Sequence, residues 1–98
     1  MKTQFDSLNK VIYQFVKNDK GNLIGCVAAV GPNKVGWSKC NTKKGDVFDK
    51  KRALQIAVGR AQTHVYLVSE VHRDIQSVYR HFLVDRSVRY FKDANALI

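Results

Sequence analysis

The chain has 98 residues, enough for one compact domain spanning residues 1–98, and its 45% hydrophobic content supplies a core and excludes a disordered tail. Seventeen Lys and Arg against eight Asp and Glu leave a formal net charge of +9, which favours anionic partners: nucleic acid, a nucleotide or an acidic protein. No run approaches the roughly 18 apolar residues of a membrane span, and residues 1–6 lack the apolar segment of a signal peptide, which predicts a chain that stays where it is made. Residues 11–16 are β-branched and aromatic and predict a strand. Residues 18–22 form a turn, with Gly21 free to take a positive φ. Residues 23–30 carry almost no polar side chain and predict a central strand, shallow at Gly25, Ala28 and Ala29 so that another element can lie close against it. Gly31, Pro32, Asn33 and Lys34 suit a tight turn, and residues 35–40 a third strand. Short turns between three strands give an antiparallel meander.

Residues 41–46 read as a lysine-bearing loop. Asp49 is placed to cap a helix over residues 50–62, with Phe48 just before it. Ala53, Ala57 and Ala61 recur every four residues, so this helix can pack closely on the sheet. Gly59 costs on the order of 1 kcal/mol inside a helix, and is expected where a backbone or ligand approaches. Residues 65–68 fit either a fourth strand or the lead-in to the last helix. Ser69 is placed to cap that helix, which is expected to run to about Lys92 before a frayed end over 94–98. Its apolar stripe is clear from Val71 to Leu83, while Val84 and Phe91 fall off it, so a bend near Val84 and Asp85 is expected. The fold class is α+β: an N-terminal antiparallel meander of three or four strands followed by two α-helices.

Three arginines stand where a core residue should be. At roughly 100° per residue, Arg60 falls inside the arc of Ala53, Leu54, Ile56, Ala57 and Val58. Arg86 and Arg89 fall on the stripe of Val71, Ile75, Val78 and Phe82, and a bend at residues 84–85 would reposition both. A guanidinium keeps its charge, and burying it unpaired is very costly. Each must therefore meet a carboxylate (Asp74, Asp85 or Glu70), water at the end of a snorkelling stem, or a bound anion. A second basic cluster spans residues 34–60. It includes Lys34, Lys39, Lys43, Lys44, Lys50, Lys51 and Arg52, with Trp37 and Phe48 interleaved. It could clamp phosphates and stack a base, or form a solvated face with Trp37 in the core. Cys26 and Cys40 have no metal-ligand spacing and are expected to be buried free thiols. His64, His72 and His81 lack a metal-binding spacing, and His72 and His81 fall on opposite flanks of one helix. No catalytic residue, metal or cofactor is therefore assigned.

Two stretches carry a resemblance. Gly25-Cys26-Val27-Ala28-Ala29-Val30-Gly31-Pro32-Asn33-Lys34-Val35-Gly36-Trp37-Ser38-Lys39-Cys40 is followed by Phe48-Asp49-Lys50-Lys51 and Ile56-Ala57-Val58-Gly59-Arg60-Ala61. Together with Asp85-Arg86-Ser87-Val88-Arg89-Tyr90-Phe91-Lys92, this resembles small phage-encoded accessory proteins and, among them, the anti-Thoeris sponge family. Ser87 stands where that pattern has alanine. The resemblance implies a non-enzymatic protein of the infected bacterial cytoplasm, assembled as a homo-oligomer, that sequesters a cyclic ADP-ribose-type immune signal. It further implies Arg86 and Arg89 as phosphate clamps with Tyr90 beside them. In this reading Arg60 faces the same site, Trp37 or Tyr90 stacks a base, and Lys34 and Lys50 add positive charge. The rival is a basic phage protein that binds nucleic acid. Such a protein would lose affinity steeply with salt.

Overall fold

The computed structural model describes residues 4–6, 10–40, 47–64 and 67–96; the loop expected at 41–46 and residues 65–66 lie outside the described residues. Four antiparallel strands form one sheet in chain order: β1 (Gln4–Asp6), β2 (Val11–Lys17), β3 (Leu23–Gly31) and β4 (Lys34–Lys39). The meander is β2 to β4. The additional strand comes from the N-terminus: β1 pairs with β2 at the far edge. Leu67 is instead extended, and Val68–Glu70 make a single 3₁₀ turn. The turns form as their residues dictate. Asn18 Oδ1 accepts the Lys20 and Asn22 amides at 3.0 Å each, and Gly21 takes φ 82°.

Period-two alternation sorts the sheet into two faces. Val11, Phe15, Cys26 and Ala28 pack under α1 (Lys50–Thr63), with Ala53 and Ala57 answering from the helix. Asp49 caps α1 as expected, its Oδ1 accepting the Arg52 amide at 3.1 Å, and Phe48 packs edge-on against Phe15. The close approach lies at Gly36, not Gly59. A Cβ on Gly36 would collide with the Ala57 carbonyl oxygen and the Ala61 amide nitrogen, whereas one on Gly59 would meet open space. Ser38 beside it is buried and donates its hydroxyl to the Ala53 carbonyl at 2.9 Å. Small residues on both sides thus let a helix backbone lie directly on β4.

The other face, with Ile12, Val16, Val27, Ala29 and Val35, is covered by a helical run from residue 73 to 96. It comprises α2 (Arg73–His81), a π turn (Phe82–Arg86) and α3 (Ser87–Ala96). Ser69 does not start it. That residue sits in the 3₁₀ turn, and His72 is the cap, its Nδ1 accepting the Asp74 amide at 3.2 Å. α3 continues to Ala96, past the fraying expected at 94–98.

The π turn is the expected bend, and it resets the helical register. The Ser87 amide donates to the Phe82 carbonyl, five residues back. One extra residue per turn rotates everything downstream by about 100°. The buried positions therefore run Ile75, Tyr79, Phe82 and then Ser87 and Phe91. Without the extra residue, Arg86 and Arg89 would have entered the core. Within the turn, the Leu83 carbonyl accepts from Asn33 Nδ2 at 2.9 Å and from the Ser87 hydroxyl at 3.4 Å. The Asn33 amide in turn donates to Ser87 Oγ at 3.2 Å. Asn33 takes φ 61°, a left-handed conformation that asparagine tolerates at a tight turn. The β3–β4 turn is thereby tied to the helical offset.

Candidate anion-binding site

The three arginines do not converge. Arg60, in the last turn of α1, reaches the edge strand β4 and donates Nη1 to the Trp37 carbonyl at 2.8 Å. Its guanidinium carbon stands 4.8 Å from the Trp37 ring centroid. An edge carbonyl and an aromatic face thus satisfy this cation internally. Trp37, half-buried against the core, is already faced by a guanidinium. The expectation that Arg60 and Trp37 join Arg86 is therefore corrected: the two form a brace at the β4 edge. Lys34 lays its stem over Gly31 at the β3–β4 turn. Lys50 holds its ammonium 5.6 Å from the Phe15 ring centroid, in the first turn of α1. Neither lines the groove that receives Arg86.

Arg86, Arg89 and Tyr90 do come together. With Ile12 and Asp85 they line a groove of about 430 Å³ between β2 and the start of α3. Arg86 is half-buried, the residue of the three that the register shift leaves at the boundary between core and water. Tyr90 is half-buried and packs edge-on against Phe91, ring centroids 4.9 Å apart. Arg89 is 81% exposed and holds Asp85 Oδ1 through Nε at 2.6 Å. An exposed helical ion pair of this spacing contributes only about 0.3–0.5 kcal/mol, so Arg89 can be drawn to a phosphate at small cost. A charge-assisted bond to such an anion contributes on the order of 1.5–3 kcal/mol.

Arg86 also borders a second, larger groove of about 640 Å³. Gln14 of β2 stands on one side, and Arg73, Gln76, Ser77 and Arg80 of α2 on the other. None of these α2 residues figured in the sequence reading. Arg73, Ser77, Arg80 and Val84 follow the i, i+4, i+7, i+11 spacing of one helix face, the signal that could have found them. That face is the polar flank of the apolar stripe.

The histidines are dispersed. His64 follows α1, His72 caps α2, and His81 at the other end of α2 has Nε2 3.7 Å from Asp85. Among the described residues, no three His, Cys, Asp or Glu side chains gather as a metal site, and no helix is long and apolar enough to cross a membrane. Both cysteines are free thiols; Cys26 is buried and Cys40 half-buried. Burial pushes the Cys26 thiol up to about 12, against the lowering effect of a hydrogen bond from the Gln14 backbone, which leaves it a packing residue. Comparison with family models, curated proteins and solved structures gives no match.

Proposed function

We propose that this chain is a non-enzymatic binder of a small anionic nucleotide, held against Arg86. The observation that carries the reading is the meeting of Arg86, Arg89 and Tyr90 in one groove, the same three residues the sponge resemblance implies. Arg86 supplies a fixed, half-buried cation. Arg89 swings from Asp85 to add a second contact, and Tyr90 offers an aromatic edge to a base or ribose. His72 and His81, at opposite ends of α2, do not face one another as an acid–base pair, so the reading assigns sequestration rather than cleavage. The ligand class is a cyclic ADP-ribose-type signal, and the chain acts as a homo-oligomer in the infected bacterial cytoplasm. Calorimetry with cyclic ADP-ribose isomers and cyclic di- and trinucleotides tests it. Tight binding with the ligand recovered intact supports the reading, and no binding to any of them ends it.

A second reading, binding of single-stranded nucleic acid, is favoured by the net charge of +9 and by the open form of both grooves. It expects log affinity to fall linearly with log salt, by about 0.7 per phosphate contacted. A flat salt response removes it.

A further inference from the structure

We infer that the groove between β2 and α2 is a second phosphate subsite, so the ligand carries at least two phosphates. This inference rests on the nucleotide reading above and deepens it. Three features mark the groove, although Arg73, Ser77 and Arg80 are exposed. Its described lining contains Arg73, Arg80, His81 and Arg86 and no carboxylate. Among the described residues, Arg80 makes no ion pair and the Ser77 hydroxyl no hydrogen bond, so two donors are uncommitted. Arg86 lines this groove and the Arg89–Tyr90 groove alike, so one residue is common to both. Asp74 stands 3.9 Å from Arg73 Nε, and Asp85 reaches the groove's own His81 at 3.7 Å as well as Arg89.

The number of phosphates is what the two grooves together select. Arg80 lies in α2 and Arg86 at the end of the π turn, six positions on, and Arg73 lies about 10 Å of helix rise before Arg80. One phosphate at Arg86 leaves Arg80 and Ser77 for another. A ligand with two phosphates, adjoining as in a cyclic ADP-ribose or set apart as in a cyclic dinucleotide, engages both Arg86 and Arg80. A nucleoside monophosphate fills only one.

Binding of cyclic di-AMP and of 3′,5′-cyclic AMP to the wild type, Arg80→Ala, Ser77→Ala and Arg86→Ala tests the inference. Residues 77 and 80 are exposed, so these variants are expected to fold. Arg80→Ala should weaken cyclic di-AMP at least tenfold and leave cyclic AMP within twofold; Ser77→Ala should do the same at about threefold; Arg86→Ala should weaken both ligands. An Arg80→Ala variant that binds cyclic di-AMP like the wild type overturns the subsite. So does one that loses both ligands equally. A titration with inorganic pyrophosphate, read at the Gln76 and Ser77 amide resonances, separates the subsite from the nucleotide reading. Shifts there without affinity for any nucleotide would end the nucleotide reading and keep the subsite. Unmoved resonances beside measurable nucleotide affinity would end the subsite and keep the reading.

Discussion

The two sides of the sheet answer the same problem, an arginine on an apolar helical arc, in different ways. At the β4 edge the helix stays regular and Arg60 folds back onto its own protein, on the Trp37 carbonyl and ring. On the opposite face the helix itself changes. The π turn steps the register by one residue, puts Ser87 and Phe91 in the core and delivers Arg86 to the boundary with water. A misplaced charge can thus be folded back onto the protein as a brace or carried by the helix to the boundary with water. The period-3.6 count cannot tell which, because it assumes the helix is unbroken.

The comparison can be broken most forcefully at its quieter side. Gly36→Ala sets a Cβ against the backbone of α1 and should lower stability by about 3 kcal/mol or more, seen as a marked drop in the midpoint of thermal unfolding. A mild effect would mean α1 sits less tightly on β4 than described. Next comes the paired test. Arg60→Ala should cost about 1–2 kcal/mol of stability, for the bared edge carbonyl and the lost ring contact, and leave nucleotide affinity unchanged. Arg86→Ala should reverse the pattern, with affinity down at least tenfold and stability within about 0.5 kcal/mol. Equal loss of affinity in the two variants would restore a site containing both arginines.

Smaller effects sharpen the picture. Asp85→Asn removes the carboxylate that competes for Arg89 and should raise nucleotide affinity two- to fivefold by calorimetry. Cys26, with its thiol pushed up to about 12 by burial, should resist alkylation in the folded protein at pH 8 and react once unfolded. The folded state keeps this thiol protonated, so its contribution is fully present below the ordinary thiol value of 9.0 and is lost as pH rises from there towards about 12. Ready labelling of native Cys26 would contradict its enclosed position.

Much of the architecture was legible in the chain. Strand boundaries followed β-branched runs, Asp49 announced α1, and the alanine spacing named its buried face. Val84 and Phe91, as residues off the stripe, marked the helical offset before its geometry was known. What could not be read was tertiary. β1 depends on pairing with β2 rather than on its own three residues. The His72 cap competes with a better local candidate, Ser69, and prevails once Val71 is buried in the core. The α2 groove lies on a face with no apolar periodicity, so only the folded arrangement joins Arg73, Arg80 and Gln14.

The claim that Arg86 receives an anion while Arg60 braces the fold is tested most directly by observing the arginine Nε–Hε resonances during titration with cyclic ADP-ribose. The account expects the Arg86 resonance to shift progressively and the Arg60 resonance to stay fixed at its Trp37-shielded position. An Arg60 resonance that moves while Arg86 stays still, or a spectrum in which neither responds, would contradict it.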